Sequence, residues 1–122
     1  MAQQILDVII KAGDLMEYSM RVTSNRKRYP AKYIQLVNRI QNKSMDIYEY
    51  LLDANRTRLD TLKTKRLELQ TKAVTTCDKI SRLIEMSMNL NIIGSDTVAH
   101  WQKLIEDVKY MTIAWREKDR NR

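Results

Sequence analysis

One run of residues, 33–54, places apolar and small side chains in strictly alternating steps of four and three. The positions are Tyr33, Val37, Ile40, Ser44, Ile47, Leu51 and Ala54. Steps of four and three fall on one face of an α-helix, and their strict alternation is the heptad pattern of helices that pack nearly parallel to one another. The run therefore predicts a long amphipathic helix, and it restricts the fold to architectures built from packed helices.

Turn-forming residues are scarce throughout the chain. The 122 residues include only two glycines and one proline, whereas ordinary usage is about 7% and about 5%. A β-rich fold needs many turns that use these residues, and no stretch here alternates β-branched residues over the length of a strand. We therefore predict an all-α fold, a single antiparallel up-down-up-down four-helix bundle domain over residues 1–122.

The apolar patterns place the helices at about residues 2–23, 30–55, 61–91 and 96–118, with residues 119–122 fraying. The first helix carries the predicted buried stripe Ile5, Ile9, Ala12, Met16 and Met20, widened by Leu6, Ile10 and Leu15. The third carries Leu62, Leu69, Ala73, Thr76, Ile80, Leu83, Ser87 and Leu90, with Arg66 at one seam position near its open end. The fourth carries Thr97, Trp101, Leu104, Val108, Met111 and Trp115. Between them, Gly94 is predicted to take a positive φ after the third helix.

Basic residues are concentrated in two regions of this chain, whose formal net charge is +7. In the predicted topology the two regions lie at opposite ends of the bundle. The first region contains Arg21, Arg26, Lys27, Arg28, Lys32, Arg39 and Lys43, and no acidic residue occurs between residues 21 and 43. The second contains Arg56, Arg58, Lys63, Lys65 and Arg66, joined by Arg116, Lys118, Arg120 and Arg122 near the C-terminus, and is offset only by Asp60, Glu117 and Asp119.

Clustered positive charge of this kind is typical of sequence-independent, salt-sensitive binding to phosphate backbones. Charge that serves solubility alone needs only to be interspersed. We therefore predict that both regions are binding sites for nucleic acid or for an acidic partner. Tyr29 and Tyr33 lie beside these cations and either stack on unpaired bases or pack at the end of the bundle.

The residues that enzymatic or metal chemistry requires are sparse. His100 is the only histidine and Cys77 the only cysteine, so neither a multi-histidine nor a cysteine–histidine metal cluster is expected. Cys77 lies within an apolar helical pattern, which favours a small core residue over a nucleophile. We expect no enzymatic activity, no cofactor, no membrane span and no signal peptide, and a cytoplasmic location.

The sequence carries more apolar side chains than a narrow helical seam would bury. The additional residues are Tyr18, Leu36, Met45, Tyr48, Tyr50, Leu52 and Ile92. They belong either to a wide core or to an interface between subunits, where tyrosine and methionine are favoured.

Four short motifs together resemble a known family. They are YPAKY at residues 29–33, YLLDANRTR at 50–58, Trp101 and Trp115 on one helical face, and AWREK at 114–118. Over roughly residues 29–118 the chain resembles the four-helix-bundle proteins of the accessory variability determinant (Avd) type, which accompany reverse transcriptases in diversity-generating retroelements. The related ribosomal-RNA intervening-sequence proteins share the bundle.

This resemblance implies a basic homopentamer that binds a reverse transcriptase and RNA or cDNA without enzymatic activity. The family has no catalytic signature to carry over, so the candidate residues remain those named above. The alternative hypothesis is a protein–protein adaptor of a mobile element or another host system, whose basic ends bind an acidic partner.

Overall fold

The computed structural model describes residues 2–122, and these form four α-helices and no strand. The helices are α1 (Ala2–Thr23), α2 (Ile34–Arg56), α3 (Lys63–Asn89) and α4 (Ser95–Arg120). α1 packs against α2 and α4, and α3 packs against the same two helices. Each helix therefore contacts two others, which confirms the all-α prediction and is consistent with a four-helix bundle.

Two helix boundaries differ from the predicted ones for identifiable reasons. Pro30 does not open α2 itself but precedes a 3₁₀ turn, Ala31–Tyr33, in which the Tyr33 N–H donates to the Pro30 oxygen at 3.0 Å. α4 continues to Arg120, so residues 119 and 120 do not fray as predicted. The Asp119 side chain is buried and paired, which holds this last turn of the helix in place.

The turn after α3 is closed by Asn91 rather than by Gly94. Asn91 has a φ of 59°, whereas Gly94 has a φ of −85° and precedes α4. The Ile92 N–H donates to the Ser87 oxygen and the Asn91 N–H to the Met88 oxygen, both at 2.9 Å. This pair of hydrogen bonds is a Schellman motif, which tolerates asparagine in its left-handed position. The predicted positive φ at Gly94 is therefore wrong.

The core is built around the predicted face of α2 and the two tryptophans of α4. Six of the seven seam positions of α2 are buried: Val37, Ile40, Ser44, Ile47, Leu51 and Ala54. Trp101 and Trp115 are fully buried. The Trp101 indole N–H donates to the Ser19 hydroxyl at 2.9 Å, and Ser19 donates to the Leu15 oxygen at 2.8 Å. An unpaired buried donor costs about 1–3 kcal/mol, so this link both pairs the indole and fixes α4 against α1.

The buried face of α1 is rotated from the predicted stripe. Its fully buried residues are Val8, Ala12, Leu15 and Ser19, with Val22 and Thr23 nearly so. Leu6 and Ile10 are each 50% exposed, and Met16 and Met20 are half-buried. Only Ala12 and Leu15 of the predicted set are core residues, and an apolar strip is left on the outer side of α1.

α3 and α4 keep the predicted period but bury slightly different positions. Buried residues outside the predicted stripes are Gln70, Cys77, Ile84, Val98, Ile105, Thr112 and Asp119, whereas Arg66 is buried at the seam position predicted for it. Leu62 and Leu90, at the two ends of the predicted α3 stripe, are exposed. Most of the apolar surplus packs against the core as partly buried residues, namely Tyr18, Leu36, Tyr48, Tyr50 and Ile92, which favours the wide-core alternative for these five.

Candidate nucleic-acid interface

A turn centred on Asn25 presents three basic side chains at the end of α1. The Asn25 side-chain oxygen accepts the Lys27 N–H at 3.0 Å. Its backbone oxygen accepts the N–H groups of Arg28 and Tyr29 at 3.0 and 2.9 Å. An asparagine that bonds the backbone two residues ahead stabilises such a turn. Arg26, Lys27 and Arg28 are exposed as a result, while Tyr29 turns inward.

Tyr29 anchors this turn and does not stack on bases. Its side chain is only 1% exposed. Burial raises the pKa of the Tyr29 phenol above its usual range, and the nearby Ser87 hydroxyl offsets this in part. Tyr33 is half-buried, with the Lys32 ammonium 5.2 Å from its ring centre. The packing alternative therefore holds for Tyr29, whose ring joins the hydrophobic core and so attaches the basic turn to the bundle.

The last turn of α1, the basic turn, the 3₁₀ turn and the first half of α2 together form what we call the first basic surface. Its residues are Arg21, Arg26, Lys27, Arg28, Lys32, Arg39 and Lys43. All are exposed except Lys43, which is half-buried. Within residues 2–122, no carboxylate forms an ion pair with any of them. None of these seven charges is therefore engaged in an ion pair within the described residues, and six of them are exposed.

The first basic surface also touches the start of α4. Arg28 Nη1 donates to Thr97 Oγ1 at 3.4 Å, a long and weak hydrogen bond. The neighbouring Asp96 is exposed but forms no ion pair in the described chain. The surface is thus assembled by the turn, α2 and the first turn of α4.

The other basic region, which we call the second basic surface, contains a buried ion pair. Arg66 Nε donates to Asp119 Oδ2 at 2.8 Å, and Gln70 Nε2 donates to the same oxygen at 2.7 Å. Arg66 Nη1 donates to the Thr57 oxygen at 3.1 Å, and its guanidinium lies 5.1 Å from the Trp115 ring centre. Arg66 and Asp119 are 8% and 0% exposed. The structure therefore removes Arg66 from the candidate surface residues, because its charge is committed to the core.

Most other cations of the second basic surface already have partners. Arg58 pairs with Asp60 at 2.9 Å and holds the pKa of that carboxyl below its usual range. Arg120 pairs with Glu117 at 3.2 Å. Lys63 donates to the backbone oxygens of Arg120 and Arg122. Arg116 donates to the Thr71 hydroxyl, and Lys118 donates to the Gln4 side-chain oxygen. Arg122 forms an ion pair with Asp119 at 3.9 Å. Arg56 and Lys65 are exposed, and four of the nine cations, Arg58, Arg66, Arg120 and Arg122, form ion pairs with carboxylates.

Two polar residues beside the first basic surface were not predicted from the sequence. Asn38 and Gln41 line a cavity of about 200 Å³ beneath the basic turn. Their spacing of three residues places both amides on one helical face, next to the buried Val37. The three-residue spacing of these amides is visible in the sequence. Their position beside the basic turn is not, because that turn is formed by residues about ten to fifteen positions earlier.

Cys77 and His100, the two remaining candidates for chemistry, lie apart from this surface. Burial, with a smaller contribution from Asp78, raises the pKa of the Cys77 thiol to about 12, so it remains protonated and fills core space as predicted. His100 is exposed and meets Tyr18 edge-on with ring centres 4.8 Å apart. Across the described residues, no group of three or more His, Cys, Asp or Glu side chains is arranged to hold a metal ion. Nor does any described helix have both the length and the apolar character to cross a membrane.

Comparison with known proteins identifies no relative of this chain. No family model, curated protein or solved structure matches the chain. The geometry and charge of the two basic surfaces are therefore the features from which a function can be inferred.

Proposed function

We propose that this protein is a non-enzymatic accessory protein that binds RNA or cDNA, and a reverse transcriptase, through basic surfaces, as Avd-type proteins of diversity-generating retroelements do. One observation carries the nucleic-acid part of the proposal: the seven cations of the first basic surface have no carboxylate partners. The reverse transcriptase, and the cytoplasm as the place of action, follow from the resemblance of the sequence motifs.

The chemistry of the first basic surface suits a phosphate backbone. Arginine forks match phosphate oxygens in pairs, and lysines add point charges. Arg39 and Lys43 stand one turn apart, about 6 Å along α2, so neighbouring cations meet successive phosphates. Binding releases the counterions condensed on the nucleic acid, and this release supplies affinity without sequence preference.

We further propose the up-down-up-down, antiparallel topology for the four helices. Cross-helix hydrogen bonds support it. Lys118 donates to Gln4, and Trp101 donates to Ser19. Residue numbers along α4 therefore decrease as those of their partners on α1 increase. Arg66 meets Asp119, and Gln102 donates to the Ser81 oxygen, which gives α3 and α4 the same opposed order. This topology places the two basic surfaces at opposite ends of the molecule.

Salt dependence tests the nucleic-acid part of the proposal. If all seven cations contact phosphates of a single strand, the slope of log K against log salt is about −5, since each contact contributes about −0.7. We expect fluorescence anisotropy with a labelled single-stranded oligonucleotide to show a steep loss of affinity between 50 and 200 mM salt, concentrations chosen for the assay. An affinity that stays flat over this range would contradict the proposal.

Self-association, with a pentamer as the state that the resemblance implies, is the second part of the proposal. The outward apolar strip of α1 supports it, because Leu6 and Ile10 are each 50% exposed. Next to this strip, Met16, Met20 and Met45 line an apolar groove. Methionine-lined surfaces adapt well to partner helices, and exposed apolar patches mark contact sites.

Light scattering tests this association. We expect a mass of five 14.5 kDa chains for the unmodified protein, and a smaller species for Leu6→Glu combined with Ile10→Glu, since buried unpaired carboxylates are costly at an interface. Lys11→Glu, a change at the neighbouring exposed position, is the control and should keep the larger mass. A monomer at micromolar concentration would overturn this part of the proposal.

The second candidate function is an adaptor that binds an acidic protein. The apolar groove favours it, because Met16 and Met20 offer an apolar contact for an amphipathic helix. Glu17 and Arg21 both border the groove, so the acidic side of such a helix would face the cations of the first basic surface beyond it. The genomic neighbourhood separates the two functions. An adjacent reverse transcriptase gene, with a template repeat and a variable-repeat target gene, would favour the retroelement function.

A further inference from the structure

A partly enclosed cavity of about 200 Å³ lies between the basic turn and α2. Residues of its lining include Thr23, Arg26, Pro30, Ile34, Asn38 and Gln41. A water molecule needs only about 10–15 Å³ of such space, so the cavity is large enough for a much bigger group. It opens among the cations of the first basic surface.

The cavity has one apolar side and one polar side. Pro30 and Ile34 supply apolar walls, and Ile34 remains 48% exposed. Asn38 and Gln41 supply side-chain amides, which carry both donors and acceptors. This combination of flat apolar contact and amide groups is how proteins hold the face and the edge of a nucleobase.

The amides are available for a ligand. Gln41 Nε2 donates to Thr23 Oγ1 at 2.9 Å, and Thr23 in turn donates to the Ser19 oxygen at 2.7 Å. These bonds fix the Gln41 amide while its carbonyl oxygen accepts no hydrogen bond from the described chain. Asn38 is exposed, and its amide forms no hydrogen bond with another residue among residues 2–122.

The cavity is held open by residues that lie beneath it. Tyr29 is buried directly before Pro30, so the rim of the cavity is attached to the core. Its floor includes Val37, which is buried on α2. A cavity formed in this way does not need to be created by the ligand, which lowers the entropic cost of binding.

We propose that this cavity receives one unpaired base of a single strand whose phosphates lie on the surrounding cations. The inference rests on the proposed nucleic-acid binding and deepens it, because it makes single-stranded nucleic acid the preferred ligand. A base in a duplex has its edge paired and its faces stacked, so it cannot enter the cavity. A lone phosphate suits the cavity less well, because Arg26 is the one cation of its lining while the apolar walls offer a phosphate nothing.

The test compares three labelled ligands of equal length: a single strand, the same strand with abasic sites, and the duplex. We expect the unmodified protein to bind the single strand at least about fivefold more tightly than the abasic strand, the least that a good amide–base pairing provides. Asn38→Ala should remove most of this preference and leave the abasic affinity unchanged. Asn42→Ala, one turn further along α2 and exposed, is the matched control and should keep the preference.

A 2-aminopurine base in the single strand provides a second readout, because its fluorescence reports a change in stacking. We expect its signal to change on binding to the unmodified protein and to the Asn42 variant, but less with the Asn38 variant. Equal affinity for the three ligands would overturn the cavity proposal and leave the proposed function standing. No binding to any of the three would overturn both.

Discussion

Replacement of Asp119 by alanine is expected to lower the free energy of unfolding by about 3–5 kcal/mol, the usual cost of leaving one partner of a buried ion pair alone. The carboxylate accepts hydrogen bonds from Arg66 and Gln70 at 2.8 and 2.7 Å. Without it, the Arg66 guanidinium stays buried against Trp115 with only the Thr57 oxygen as an acceptor. A domain of this size is stable by about 5–15 kcal/mol, so the variant should lose a large part of its stability.

Urea denaturation followed by circular dichroism measures this effect. Asp60→Ala is the matched control, because Asp60 also pairs with an arginine at 2.9 Å but in an exposed position. Solvent screens exposed pairs, which contribute little to stability, so the control should unfold close to the unmodified protein. Similar urea midpoints for the two variants would show that the buried pair contributes no more to stability than the exposed pair.

A double replacement separates the loss of a partner from the loss of the pair. Arg66→Met with Asp119→Leu removes both charges and keeps much of the buried volume. Replacing a buried pair with apolar residues is often neutral or stabilising. The double variant should therefore be more stable than Asp119→Ala, which identifies the unpaired guanidinium as the source of the destabilisation.

The periodicity of α2 predicted its buried face almost completely, whereas that of α1 did not. α2 is apolar on one side only, so any helix that packs must bury that side. α1 has apolar residues around much of its circumference, including Ile5, Leu6, Ile9 and Ile10. Its orientation is fixed by a partner 82 residues away, through the Trp101–Ser19 hydrogen bond. Local spacing contains no information about that contact.

The burial of the polar residues Gln70 and Asp119 was not predicted from the sequence, for a related reason. Patterns of apolar residues locate apolar cores, but Gln70 and Asp119 are fully buried polar residues. They enter the interior only because Arg66 meets them there, and Arg66 and Asp119 are 53 positions apart. Asp119 therefore looked like part of an exposed, fraying tail.

The candidate site was predictable in composition but not in accessibility. The sequence shows where the cations cluster, and the cluster at residues 21–43 proves to be exposed. It cannot show which cations form ion pairs, because partners such as Arg66 and Asp119 come from distant parts of the chain. Once those pairs are known, the two basic surfaces are no longer equivalent. Carboxylates pair with four cations of the second surface, and none within residues 2–122 pairs with a cation of the first.

Arg26→Glu combined with Arg28→Glu is expected to weaken nucleic-acid binding by roughly 100-fold to 1,000-fold at low salt. The two reversals change the net charge by four, from +7 to +3, and a charge contact in water is worth about 1 kcal/mol at 4 Å. Both side chains are exposed, and neither forms an ion pair within the described residues. The bundle should keep its helical content, since the only bond lost is the long one from Arg28 to Thr97.

A variant with the same net charge isolates the effect of location. Arg56→Glu combined with Lys65→Glu also gives +3, but changes two exposed residues of the second basic surface. If binding depended on net charge alone, the two variants would lose affinity equally. If nucleic acid binds the first basic surface, the Arg26/Arg28 variant should lose far more affinity, and its salt slope should become shallower by about two contacts. The reverse order of the two variants would assign the site to the second basic surface.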